Sequence, residues 1–183
     1  MPRTAALTGT PGTGKTTLQR AASDAGWLTV EVSELARSHG AVTGRDEVRG
    51  VDEVDVGRLR SAWRAEHAKL AATDRVLLVG HLSHLLPCDI IVVLRTSPRV
   101  LRARLEARGY PSAKVQENVE AEAVDVVLLE ALEAGPAEGV HELDTTSDAP
   151  ERTAELLLAV LEGADVGHLA GRVDWSEEVL GWY

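Results

Sequence analysis

Gly9-Thr10-Pro11-Gly12-Thr13-Gly14-Lys15-Thr16 matches the pattern GxxxxGK[ST] in full. The glycines permit backbone conformations that turn N–H groups inward, toward phosphate oxygens. The apolar run Thr4–Thr8 before the loop reads as a strand, and Lys15–Ala25 after it as a helix. The loop therefore delivers an anion to a helix N-terminus, where free N–H groups and the helix dipole favour negative charge. In such a loop Lys15 reaches the β- and γ-phosphates of ATP as a point charge, and the Thr16 hydroxyl binds Mg2+. Gly12, Thr13, Gly14, Lys15, Thr16 and Thr17 are the candidate phosphate-binding residues, with Thr16 the candidate metal ligand. The strand before and the helix after distinguish a phosphate loop from a glycine-rich turn that binds nothing.

The rest of the chain repeats that alternation of short apolar runs and longer helical ones. Leu28–Val32, Arg75–Val79, Ile90–Leu94 and Val140–Asp144 read as four more strands. Alternation of this kind predicts an α/β fold, a five-stranded parallel sheet flanked by helices. Between the strands, Ser33–Ser38 reads as a short helix and Gly40–Val54 as an irregular polar segment. Val56–Ala72 reads as a helix with Asp55 as its N-cap. Ser97 caps a further helix, with Pro98 at its first position and its end near Gly109. A single longer helix is expected from Ser112 to about Ala134. Asp148 and Glu151 have capping-box spacing and predict a helix to about Glu162, ended by Gly163. Residues 1–163 then form one domain, and 164–183 a tail carrying Trp175, Trp182 and Tyr183. Those aromatics read first as anchors onto the domain and second as partner contacts.

Bulk composition narrows the function classes. Of the 183 residues, 44% are hydrophobic and 3% aromatic, with no Phe, so the core is expected to be Val, Leu and Ala. A net charge of −10 argues against a broad nucleic-acid-binding surface. Cys88 is the sole cysteine, which rules out an internal disulfide and a Cys-rich zinc site and fits a reducing cytoplasm. No apolar run of membrane-spanning length occurs, so no membrane association is expected. The GTPase base-reading pattern Asn-Lys-x-Asp is absent: Lys69 and Lys114 precede Leu70-Ala71 and Val115-Gln116.

Several segments carry a specific resemblance. Leu7-Thr8-Gly9 through Thr17, Val32-Ser33-Glu34-Leu35-Ala36-Arg37 and Gly44-Arg45-Asp46-Glu47 are three of them. Others are Gly80-His81-Leu82-Ser83-His84-Leu85-Leu86-Pro87, Val93-Leu94-Arg95-Thr96 and Arg104-Leu105-Glu106-Ala107-Arg108-Gly109-Tyr110. Lys114, Glu117-Asn118, Ala121-Glu122, Asp144-Thr145-Thr146 and Asp174-Trp175 complete the set. Together they resemble the adenylate kinase isoenzyme 6 family, also called coilin-interacting nuclear ATPase, and its archaeal branch. The resemblance implies phosphoryl transfer from ATP to AMP-like acceptors, with slow ATP hydrolysis. It implies a monophosphate-binding part at about 32–55 and a lid at about 107–117. It also implies a role in maturing small-subunit ribosomal RNA and a platform ribosomal protein as partner. Ser33, Arg37 and Asp46 fall on the acceptor side, and Thr146 near the adenine. An ATPase that times ribosome assembly, or another small-molecule kinase such as one for shikimate or gluconate, remains an alternative.

Arg37 suits an acceptor phosphate, because its fork of donors matches a pair of oxygens. Arg108 is placed to cover the donor phosphates from the lid, whereas Arg102 and Arg104 read as solvent-facing helix charges. His81 is expected at the C-terminal end of a central strand, where it orients water or acceptor; His84 reads as structural. Phosphate-loop enzymes usually end this strand with Asp or Glu, but here stand Val79 and Gly80. The carboxylate is therefore absent or supplied from elsewhere.

Overall fold

The computed structural model describes residues 2–46, 51–136, 138–164, 167 and 169–182. Glu47 and Tyr183, both singled out in the sequence, lie outside the described residues. Five strands form one sheet: β1 (Arg3–Gly9), β2 (Leu28–Glu31), β5 (Arg75–Val79), β6 (Ile90–Arg95) and β7 (Val140–Asp144). Their order is β2-β5-β1-β6-β7, and every pairing is parallel. The five expected strands are all present; the central ones, β1, β5 and β6, are buried and advertise themselves as apolar runs, whereas β2 lies at an edge and is partly exposed.

Side chains alternate across the sheet, and two helical layers cover its faces. On one face Ala5, Leu7, Val79, Val92 and Leu94 pack against α1 (Lys15–Asp24) and α7 (Pro150–Leu161). On the other, Ala6, Leu78, Ile91 and Val93 pack against α2 (Val32–Ser38), α3 (Val56–His67) and α6 (Val126–Ala134). A third cluster joins α4 (Pro98–Ala107) to α5 (Ser112–Ala123) through Leu101, Leu105, Val115 and Val119. The core is not purely aliphatic: Trp27 and Trp63 are each 2% exposed, and Trp63 Nε1 donates to the Pro87 carbonyl at 2.9 Å.

Local signals held where the cap is a short side chain. Asp55 Oδ1 accepts from Arg58 N at 3.0 Å, and Ser97 Oγ from Val100 N at 3.4 Å. Four expectations fail. Within the stretch expected to be irregular, Gly40–Val54, β3 (Val42–Asp46) and β4 (Val51–Val54) pair antiparallel, with a register shift between Val42 and Gly44. The α3 helix stops at His67, five residues early. Asp148 caps nothing, because α7 starts at Pro150 with Ala149 in the cap position. The long helix from Ser112 is two helices, broken at Val124–Asp125, where Asp125 has φ 60°. That left-handed turn lets the Asp125 carboxylate reach the Arg95 guanidinium, an ion pair that outweighs helical continuity.

The remaining tail forms α8 (Ser176–Leu180), and Gly171 N and Arg172 N donate to Glu142 Oε2 at 2.6 and 3.1 Å. No helix among the described residues is long and apolar enough to cross a membrane.

Candidate functional site

The C-terminal ends of the parallel strands converge on one crevice, the usual ligand position in an open α/β sheet. β1 runs straight into the glycine loop. Gly9 has φ 134°, and a Cβ there would stand 2.6 Å from the Leu94 carbonyl oxygen. Gly12 has φ 98°, and its Cβ would meet Leu101 Cδ1 at 2.8 Å. Both positions thus require glycine for conformation and for space. The loop closes on itself through Thr13 N and Thr13 Oγ1, which donate to the Thr10 carbonyl at 3.3 and 2.9 Å. Gly14 takes the cap position of α1 without a capping side chain, so the first-turn N–H groups remain for an anion.

Lys15 Nζ folds over the loop and donates to the carbonyls of Gly9 (2.7 Å) and Thr10 (3.0 Å). Loss of solvent lowers its pKa to about 8; Glu122 opposes the shift, Arg108 adds to it and Glu31 opposes it. A cavity of about 230 Å3 opens beside it, lined by Pro11, Gly12, Gly14, Lys15, Thr16, Thr17, His81, Arg108 and Tyr110. Lys15 and Thr16 therefore share one wall with His81 and Arg108, which are distant from them in sequence.

A second cavity, about 270 Å3, adjoins the first through Gly12, Gly14, Thr17 and Arg108. Thr13, Leu18, Arg104, Thr145, Asp148, Pro150 and Thr153 complete it. Arg104 is not the solvent-facing charge its helix position suggested. It is half-buried, and its Nη2 donates to the Thr145 carbonyl at 2.6 Å. Burial and the nearby Arg108 charge lower its pKa, with Asp144 opposing, yet it stays charged. Thr146 is drawn away from this cavity: its Oγ1 accepts from Ser97 N at 2.8 Å and donates to Asp144 Oδ1 at 2.5 Å. Thr145, one residue earlier, lines the cavity instead.

A third cavity, about 280 Å3, lies under the hairpin and is lined by Val32, Ser33, Ala36, Val42, Asp52, Val54, Gly80, His81 and Leu82. Ser33 is on its wall. Arg37 is not; its Nε pairs with Asp52 Oδ2 at 3.5 Å, and its side chain is 59% exposed. Asp46 closes β3 beside Val51 of β4 and is half-buried. His81 belongs to both this cavity and the phosphate cavity. Desolvation lowers its pKa, and the Lys15 and His84 charges add to that, with Glu130 and the Gly9 backbone opposing. His84 is fully buried, with Nδ1 2.9 Å from Thr8 Oγ1 and Nε2 3.0 Å from Glu130 Oε2, a structural position.

Residues 6–125 match the family described as AAA domain. Two archaeal relatives named "Putative adenylate kinase" align over nearly the full chain. The Methanothermobacter thermautotrophicus protein is 43% identical, covering 96% of this chain and 98% of the relative. The Thermococcus onnurineus protein is 44% identical, covering 94% and 91%. The chain belongs to this archaeal "Putative adenylate kinase" family. In fold, a shikimate kinase from Acinetobacter baumannii in complex with shikimate superposes with a TM-score of 0.57 at 17% identity, over 91% of this chain and 96% of that one.

This member of the adenylate kinase family holds its phosphate loop through residues to which sequence reading gave no role, although Arg95, Thr96 and Glu122 lie in segments that carry the resemblance. Thr10 Oγ1 donates to Glu122 Oε2 at 2.6 Å, and Glu122 Oε1 accepts from Arg95 Nε at 2.8 Å and Thr96 N at 3.2 Å. Arg95 also pairs with Asp125 and Glu142 and stacks 5.9 Å from the Trp175 ring centre. Burial by itself would lower the Arg95 pKa; Glu122, then Asp125 and Glu142, reverse that and raise it. Arg95 was legible only as a charge ending the apolar strand Ile90–Leu94 and as part of a segment that carries the resemblance. Its partners lie 27 to 47 residues away and have no sequence signature.

The residues present fit a Mg2+ ion that arrives with phosphate. Thr16 is exposed on the first turn of α1, on the wall of the phosphate cavity. Among the described residues no group of three or more His, Cys, Asp or Glu stands ready to hold a metal alone. Mg2+ prefers that arrangement, taking few protein ligands together with substrate phosphates and water.

Proposed function

We propose that this protein transfers the γ-phosphoryl group of ATP to AMP or a similar nucleoside monophosphate, with Mg2+ bound alongside the phosphates. The observation that carries this reading is the chain of three adjoining cavities. The first and second share Gly12, Gly14, Thr17 and Arg108; the first and third share His81. Adenine and ribose of ATP occupy the 270 Å3 cavity between Arg104, Thr145 and Pro150. The phosphates lie along the loop, and the acceptor fills the 280 Å3 cavity beneath the hairpin. Transfer then takes place across the wall they share.

Phosphoryl transfer needs positioning and charge neutralisation more than covalent chemistry. On binding, Lys15 exchanges the two loop carbonyls for phosphate oxygens, and Arg108 meets the transferring group from the other side. Thr16 would hold a Mg2+ ion, which would supply further neutralisation of phosphate charge. An acceptor phosphate is already ionised and needs no base. His81, whose lowered pKa keeps it neutral at neutral pH, serves to orient the acceptor or a water. Arg37 reaches the acceptor phosphate only after leaving Asp52, an exposed pair of small worth.

A coupled assay with ATP and a panel of acceptors tests the reading. AMP is expected to give the fastest turnover, well above an acceptor-free control. Phosphorylation of shikimate or gluconate without that of nucleotides would overturn it. Hydrolysis indifferent to any acceptor would favour the assembly ATPase. The proposed ribosomal role rests on family resemblance, and direct binding of a small-subunit platform protein, altered by ATP, is its test.

A further inference from the structure

Mg2+ in a phosphate site retains several waters, and a nearby carboxylate orients them. Val79 ends β5 without such a group: it is 2% exposed and packed in the core, and Gly80 has no side chain. Across the β2–β5 ladder, however, Val79 is paired in register with Glu31. Residues paired across a parallel ladder put their side chains on the same face. Val79 and Leu7 face α1, the helix that begins at Lys15. The Glu31 side chain therefore leaves the sheet on the face of the phosphate loop, one strand spacing (about 4.8 Å) beyond position 79. Its additional methylene relative to Asp offsets part of that distance.

Among the described residues two carboxylates act on the Lys15 ammonium, Glu122 and Glu31. Glu122 is 3% exposed, and its oxygens are taken by Thr10, Arg95 and Thr96. Glu31 is half-buried, its side chain makes no hydrogen bond or salt bridge among the described residues, and it ends its strand at the crevice. We infer that Glu31 is the positioning residue for the water shell of nucleotide-bound Mg2+, doing from β2 what an acid at position 79 would do from β5. The inference rests on the Mg2+–ATP reading above.

Binding of ATP, followed by calorimetry in EDTA and across a Mg2+ titration, separates the two. Wild-type protein should bind ATP more tightly as Mg2+ is added. In Glu31→Gln, affinity in EDTA should be unchanged or tighter, because a negative charge near the phosphates is gone. The Mg2+ midpoint should rise about tenfold or more, as for loss of an outer-sphere partner. Adding Val79→Asp to that variant should return the midpoint toward wild type. An unchanged midpoint in Glu31→Gln overturns the role of Glu31 and leaves the Mg2+–ATP reading intact. Wild-type ATP affinity indifferent to Mg2+ overturns that reading, and the inference with it.

Discussion

The two sides of the crevice proposed for donor and acceptor are held by different means. On the donor side Thr10 and Thr13 are 2% and 0% exposed, and the loop is tied to Glu122, which is tied to buried Arg95. On the acceptor side Asp52 meets Arg37 at 3.5 Å and Arg45 at 3.9 Å, with both arginine side chains about 60% exposed. A phosphate loop must present fixed donors, because preorganised dipoles need no rearrangement at the moment of transfer. An acceptor site must admit and release a second substrate, and elements with exposed, shallow contacts open at the lowest free energy. Rigidity and looseness thus lie on opposite sides of His81.

Perturbing each side should expose the contrast. Lys15→Met should reduce turnover on the order of a thousandfold without lowering the thermal transition, since it removes a buried charge that meets the transferring phosphate. Wild-type rates in that variant would remove the phosphate-loop assignment. Glu122→Ala should cost about 3 kcal/mol of stability, because Arg95 is left with a buried, partly unpaired charge. Denaturant titration measures this, and a loss below about 1 kcal/mol would show that the donor side is not held as described.

Smaller effects follow on the lid and the hairpin. Arg108→Ala should lower kcat about a hundredfold with a modest change in KM for ATP, the mark of an interaction made in the transition state. Arg37→Ala should raise KM for AMP about tenfold and leave KM for ATP in place. Equal changes in both would mean that Arg37 serves only its pair with Asp52.

The smallest effect is one of pH. Lys15 titrates at about 8 in the folded protein against 10.5 when unperturbed, so the unfolded chain holds more protons between those values. The stability penalty of burying its charge is complete below about pH 8 and is relieved as pH rises toward 10.5. Bound phosphate favours the charged lysine, so ATP binding at about pH 9 should take up as much as one proton. Calorimetry in two buffers of different ionisation enthalpy measures the uptake; none at that pH would place the lysine elsewhere.

The primary sequence by itself determined the sheet and the phosphate loop. Five apolar runs, caps at Asp55 and Ser97, and the glycines at 9 and 12 are local instructions, each satisfied by a residue's own backbone or close neighbours. It also brought Lys15, Thr16 and His81 into consideration, because strand ends and helix starts have local signatures, whereas Arg108 entered through the lid that the family resemblance implies. Tertiary structure alone decided the break at Asp125, the engagement of Arg104 with Thr145, and the tie from Thr10 through Glu122 to Arg95. It also turned a polar stretch into the hairpin β3–β4 and set Glu31 level with Val79. Those features depend on ion pairs, packing and strand register between segments distant in the chain. Such contacts exist only after the sheet has fixed where each strand ends.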